Sequence, residues 1–239
     1  MGFKDKGRLT LALAFLLVAS SLSAQTGSGQ TDSLVRLMKA TSIELIEKDA
    51  RNYRKAIDAT FLHNGTHLEC DTAYWNVDRK YINAWGHVKL TQGSVILTSE
   101  KMDYDIDASQ AMFRGELVEL KDDKHNILRT MTLDYNTKDS LAVFHYGASM
   151  KTEDGQVIES DHGYYNTAIK LVNFIGNVNM YTDTVYLRTE ALDYSTEEKT
   201  AYFIRPIDFW REGDMLSSLS GWYNGDSETF FFRDEVHAM

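Results

Sequence analysis

Proline is almost missing from this chain: Pro206 is the only one in 239 residues. A proline removes a backbone donor and interrupts the ladder of a central strand, so its near absence suits long paired strands. Cysteine is as scarce, and the single Cys70 excludes an intramolecular disulfide framework. No apolar run is long enough to span a bilayer. The one near the N-terminus, Leu9 to Val18, follows Lys4, Lys6 and Arg8 and precedes Ser-Ser-Leu-Ser-Ala-Gln, which is the three-part pattern of a secretory signal. Cleavage is expected after Ala24, leaving an exported chain. Basic residues are in deficit, 25 against 35 acids, for a net charge of -10 that becomes -12 without residues 1–24. That balance argues against a nucleic-acid partner.

What is present is a repeat. Trp75, Tyr104, Tyr135, Tyr165, Tyr194 and Tyr223 follow one another at intervals of 29, 31, 30, 29 and 29 residues. Seven positions before these anchors stand Leu68, Leu97, Leu128, Ile158, Leu187 and Leu216, all branched aliphatics. Five before stand Cys70, Ser99, Thr130, Ser160, Thr189 and Ser218, so Cys70 reads as a small packed side chain rather than a reactive thiol. Immediately after the anchor comes a turn former: Asn76, Asp105, Asn136, Asn166, Ser195 or Asn224. Nine after come Ala84, Phe113, Phe144, Phe174, Phe203 and Phe232.

The turn former splits each unit into two extended halves, and further turn clusters (Gln92-Gly93, Asp122 to Asn126, Glu153 to Gly155, Thr182-Asp183, Glu212 to Asp214) separate the units. Val172, Phe174, Gly176, Val178 and Met180 alternate with Asn173, Ile175, Asn177 and Asn179, one face mainly apolar and the other mainly polar. Gly86, Gly115 and Gly176, eleven after the anchor, predict bends or bulges inside strands, with Gly147 displaced by one. Asn64-Gly65 predicts a tight hairpin. Upstream, residues 25–32 read as a flexible leader, and Ser33 to Ala40 as a short amphipathic helix capped by Ser33. From Ile43 to residue 239 the expectation is one all-β domain of about six 30-residue two-strand units, stacked into an elongated, twisted double sheet.

Such an array presents edges where another chain can add a strand, here around Ile43 and Leu45 at one end and Phe230 and Phe232 at the other. Phe230 to Met239 carries no polar cap, so the chain is expected to be part of a longer one, or to associate head to tail.

The phrases Ala84-Trp-Gly-His-Val88, Phe113-Arg-Gly-Glu-Leu117 and Phe174-Ile-Gly-Asn-Val178 resemble those of the OstA-like, or organic solvent tolerance, family. The resemblance runs from about Ile43 to the end and rests on many weak repeats. It implies a slot-like β-jellyroll that carries the acyl chains of lipopolysaccharide, in the periplasm and associated with the outer membrane. It also implies edge-to-edge pairing with other jellyroll proteins of the transport bridge. On that reading Leu97, Leu128, Ile158, Leu187, Phe113, Phe144, Phe174 and Phe203 face lipid.

The residues themselves leave a structural β-solenoid, a stalk or adhesin with a self-packed core, as the competing reading. Catalysis is not expected, since no paired carboxylates stand out at one unit. No cofactor or metal is expected either. His63 and His67 flank a hairpin rather than share a helix face, and Asp103, Asp134 and Asp193 come one per unit, without the spacing of a calcium loop.

Overall fold

The computed structural model describes residues 34–48 and 50–238, which lie within one compact unit. The expected signal segment and residues 25–32 fall outside them. Among the described residues there are twenty strands and no helix, and every pairing is antiparallel.

The chain runs as a bent meander. Long strands such as Tyr81–Gln92, Val95–Asp105, Gln110–Lys121 and Leu171–Tyr181 each pass through two half-sheets. The ladder breaks register between them, at Trp85/Val88, Arg114/Val118 and Ile175/Val178. These are the bulges the glycines predict. Gly86 and Gly176 have φ of +73° and +78°, and the residues after them, His87 and Asn177, are also left-handed. A side chain at Gly86 would meet the Asp71 carboxylate, so glycine is required there for space as well as for backbone conformation.

The turns follow the sequence closely. Asn64 and Gly65 have φ of +48° and +78°, the two positive values that a two-residue type I′ hairpin demands, and His63 pairs with Thr66 across it. Within the units the side chains of Asn76, Asp105, Asn136, Asn166 and Asn224 accept backbone N–H groups two or three residues on. Each closes its own turn.

The helix expected over Ser33 to Ala40 is not formed. Arg36–Lys39 is instead a strand paired with Thr60 to Leu62. Eight residues make a marginal helix in water, whereas the edge of Arg51–His63 offers ready backbone partners, and Val35 and Leu37 reach the core from the extended form. The sheet therefore starts ahead of Ile43.

The two half-sheets face each other over one continuous apolar core. On the first, Leu97, Leu120, Leu128, Met150, Ile158, Met180 and Leu187 are successive cross-strand partners. On the second, Phe144, Gly163, Phe174, Leu192 and Phe203 form the corresponding row. Beside it Tyr104, Ala111, Tyr135, Ala142, Tyr165, Val172, Tyr194 and Ala201 alternate large with small. A small residue opposite each tyrosine gives the ring room to lie across the strand interval.

Candidate functional site

All eight side chains expected to face lipid point inward, as the columns require. Leu97, Leu128, Ile158, Phe113, Phe144 and Phe174 have no exposed area, and Leu187 and Phe203 have 1% and 2%. Zero accessible area means that no water-sized void touches them, so they fill the space between the half-sheets with their own bulk. Phe144 and Phe174 pack with centroids 6.2 Å apart on either side of Gly163. At one end of the core Phe209 meets Phe230 at 4.7 Å and Phe232 at 5.1 Å, so rings of both half-sheets close on each other.

Ile43 and Leu45 lie on Ser42–Lys48 and are exposed, Leu45 by 83%. Phe230 and Phe232 lie on Thr229–Arg233, half-buried against the core. Among the described residues each of these strands pairs on one side only, with Arg51 to Ile57 and Ser220 to Asn224 respectively.

Opposite the bulges, where the hairpin turns of the two half-sheets approach, runs a polar seam built on the anchor tyrosines. His63 and Tyr104 share a hydrogen bond of 2.6 Å. The Tyr135 hydroxyl donates to Gln92 Oε1 at 2.6 Å, and Gln92 Nε2 donates to the Thr137 carbonyl at 2.6 Å. The Tyr165 hydroxyl donates to Asp122 Oδ2 at 2.6 Å, while Asp122 Oδ1 accepts the backbone N–H groups of Lys124 and Asn126 at 2.9 Å.

A threonine two residues after the next anchor completes each of these pairs. Thr137 lies 3.3 Å from the Tyr104 hydroxyl, Thr167 3.4 Å from Tyr135 and Thr196 3.2 Å from Tyr165. Outside them, Lys170 joins Asp123 to Glu197 at 3.0 and 2.6 Å, and Lys199 joins Glu153 to Asp226 at 3.4 and 3.0 Å. Burial holds the phenols of Tyr104, Tyr135, Tyr165 and Tyr194 above their usual range, and Asp122 beside Tyr165 and Asp154 near Tyr194 push further in the same direction.

The sequence alone does not show the seam. Its residues recur with the same period as the anchors, but the partners stand 41 and 43 positions apart, more than one repeat. Column arithmetic alone does not pair them.

Other candidate chemistry resolves into structure. His63 is buried in the seam, His67 is exposed on its strand, and no cluster among the described residues could hold a metal ion. Asp103 and Asp134 pair across strands with Asn83 and Arg114 on the outer face, and Asp193 does so with Asn173. Cys70 is buried, and burial, with Asp71 adding to it, pushes its thiol up to about 12. At pH 8 the native protein should therefore react with a disulfide reagent at least roughly a hundredfold more slowly than the urea-unfolded chain. Equal rates would show that this end of the core opens freely.

Among solved structures, fourteen chains are similar. One is LptH from Pseudomonas aeruginosa, described as the LptA homologous periplasmic component of the conserved lipopolysaccharide transport device. It is 18% identical, with a TM-score of 0.45, over 49% of this chain and 94% of that one. No curated protein sequence matches significantly. The sequence profile of the OstA-like protein family matches residues 32–183 and 147–239, which together span all the described residues. By that match the chain belongs to the OstA-like protein family.

Proposed function

We propose that this protein is a non-catalytic, exported carrier or scaffold in lipopolysaccharide transport and outer-membrane assembly, working in the periplasm. The observation that carries this reading is the uninterrupted apolar row between the half-sheets, from Leu97 through Leu187 and from Phe113 through Phe203. Family membership and the secretory pattern at the N-terminus support it. Acyl chains would lie between the half-sheets, exchanging contacts with the interior side chains for contacts with lipid at little net change in apolar area. They can enter only if the seam parts, because the interior is closed with the seam made.

Neighbouring jellyrolls, or further copies of this chain, would pair with Ser42–Lys48 and Thr229–Arg233, whose outer sides take no strand among the described residues. The full chain should then show concentration-dependent growth in sedimentation, reduced by Phe231→Pro, which breaks the pairing of Thr229–Arg233 with Ser220–Asn224 and with it the edge that strand presents.

The test is photo-crosslinking to lipopolysaccharide from photoreactive residues at positions 144 and 174, with a known bridge protein alongside. Adducts at either position are expected. Their absence at both, with adducts in the control, would sink the carrier and favour the second reading, a structural solenoid. The closed core favours that reading, since a stalk needs no slot.

A further inference from the structure

The last tooth of the seam departs from the two just before it at two positions. In the column two residues after the anchor, Val77 and Ile106 give way to Thr137, Thr167 and Thr196, which supply hydroxyls, but the next member is Gly225. In the column five after the anchor, Lys170 and Lys199 are followed by Glu228. Lys170 reaches Asp123 and Lys199 reaches Glu153, so the acid in register with Glu228 is Asp183, thirty positions further on. Where two repeats set a lysine against a hairpin carboxylate, this one sets a second carboxylate.

The result is a cavity of about 230 Å³, lined among others by Asp154, Gln156, Asp183, Arg211, Tyr223, Gly225 and Glu228. Three acids face one base there, and Arg211 makes no ion pair with any of them. Tyr223 is 95% buried, yet its hydroxyl makes no side-chain hydrogen bond, as is also true of Tyr194 and unlike Tyr104, Tyr135 and Tyr165; only at Tyr223 does the ring line a cavity. Its surroundings place that hydroxyl at the cavity, since Glu228, Asp154, Arg211 and Asp183 all act on it electrostatically. Gln156 is 96% buried, and its amide nitrogen donates to the Asp154 carboxylate at 2.6 Å. A side chain at Gly225 would overlap the Gln156 amide and the Asp154 carboxylate, so the missing threonine is a condition of this arrangement.

We propose that this cavity binds a small primary ammonium ligand, which takes the place that the lysine ammonium occupies in the two preceding repeats. An –NH₃⁺ group has three donors and no acceptor. The cavity offers it the Asp183 and Glu228 carboxylates and the Tyr223 hydroxyl oxygen. A bare metal ion fits less well, because no three ligating side chains converge among the described residues. The volume admits a head group or a small amine, not an extended ligand. The site stands apart from the acyl-chain reading and does not depend on it.

The experiment uses the full chain, with ethanolamine hydrochloride as probe against sodium chloride at equal ionic strength. The expected result is a saturable calorimetric binding isotherm and a thermal midpoint that rises with ethanolamine but not with sodium chloride. Asp183→Asn should weaken the affinity by about tenfold or more through the lost charge-assisted bond. Glu228→Lys restores the lysine of the column on an exposed turn; it should raise the thermal midpoint without ligand and abolish the response to ethanolamine. No saturable binding by the wild-type chain, or an ethanolamine response unchanged in Glu228→Lys, would overturn the proposal.

Discussion

Raising the pH past about 10 is expected to unfold this protein steeply, because four buried phenols of the core and seam keep their protons only in the folded state. In the unfolded chain a tyrosine ionises near its ordinary value of about 10. In the folded chain Tyr104, Tyr135, Tyr165 and Tyr194 are held above it, chiefly by burial. Their contribution is fully present below the unfolded value. Above it the unfolded state binds fewer protons than the folded one, so stability falls as pH rises, by about 1.4 kcal/mol per pH unit for each phenol still protonated. The upward push is largest at Tyr165 and Tyr194, which together approach roughly 3 kcal/mol per unit, with Tyr104 and Tyr135 adding in the same direction, against a total stability of about 5–15 kcal/mol.

Urea midpoints measured from pH 8 to 11, together with phenolate absorbance, check this. Tyr165→Phe should lower stability at neutral pH by about 1–3 kcal/mol, since Asp122 loses a donor, and should flatten the alkaline slope by one proton's worth. A slope unchanged in that variant would show that Tyr165 ionises as freely folded as unfolded.

The other large effect is at Gly163. An added Cβ would lie 2.1 Å from the Asn173 carbonyl oxygen and 2.6 Å from the Phe144 ring, and the first of these is backbone that cannot swing aside. Gly163→Ala should therefore cost at least as much as Phe144→Ala, for which about 3–5 kcal/mol is expected from the lost burial and the cavity left behind. The combination Gly163→Ala with Phe144→Leu relieves only the ring contact and should recover only part of the loss. Repeats that contact mainly their neighbours lose structure locally. Hydrogen exchange should rise first in Leu141–Phe144, His162–Asn166 and Leu171–Tyr181, while Arg51–His63 and Thr66–Asn76 stay protected. Simultaneous loss of protection along the whole chain would mean that the units fold as one cooperative body.

Position 163 also marks where sequence patterning stops being informative. Its glycine stands two before Tyr165, where the neighbouring units have Leu133 and Leu192, and the strand pattern alone gives no reason for it. The reason is a ring on the adjacent strand and a carbonyl on the other side. The N-terminal strand Arg36–Lys39 is a similar case, since Leu-Val-Arg-Leu-Met-Lys fits a helix face as well as a strand and only the waiting edge of Arg51–His63 decides.

The sequence by itself determined the all-β class, the thirty-residue two-strand unit, the turns closed by Asn76 and its equivalents, the bulges at Gly86, Gly115 and Gly176, and the inward direction of every aliphatic and phenylalanine column. These are local matters: a period of two sets which way a side chain points, and a positive φ needs glycine or asparagine wherever it falls. The tertiary structure alone decided that the interior is closed, that the tyrosines meet His63, Gln92 and Asp122, and that Gly225 and Glu228 leave one tooth of the seam open. Those contacts join residues more than one repeat apart, across two half-sheets whose spacing depends on how tightly the core side chains fill the gap.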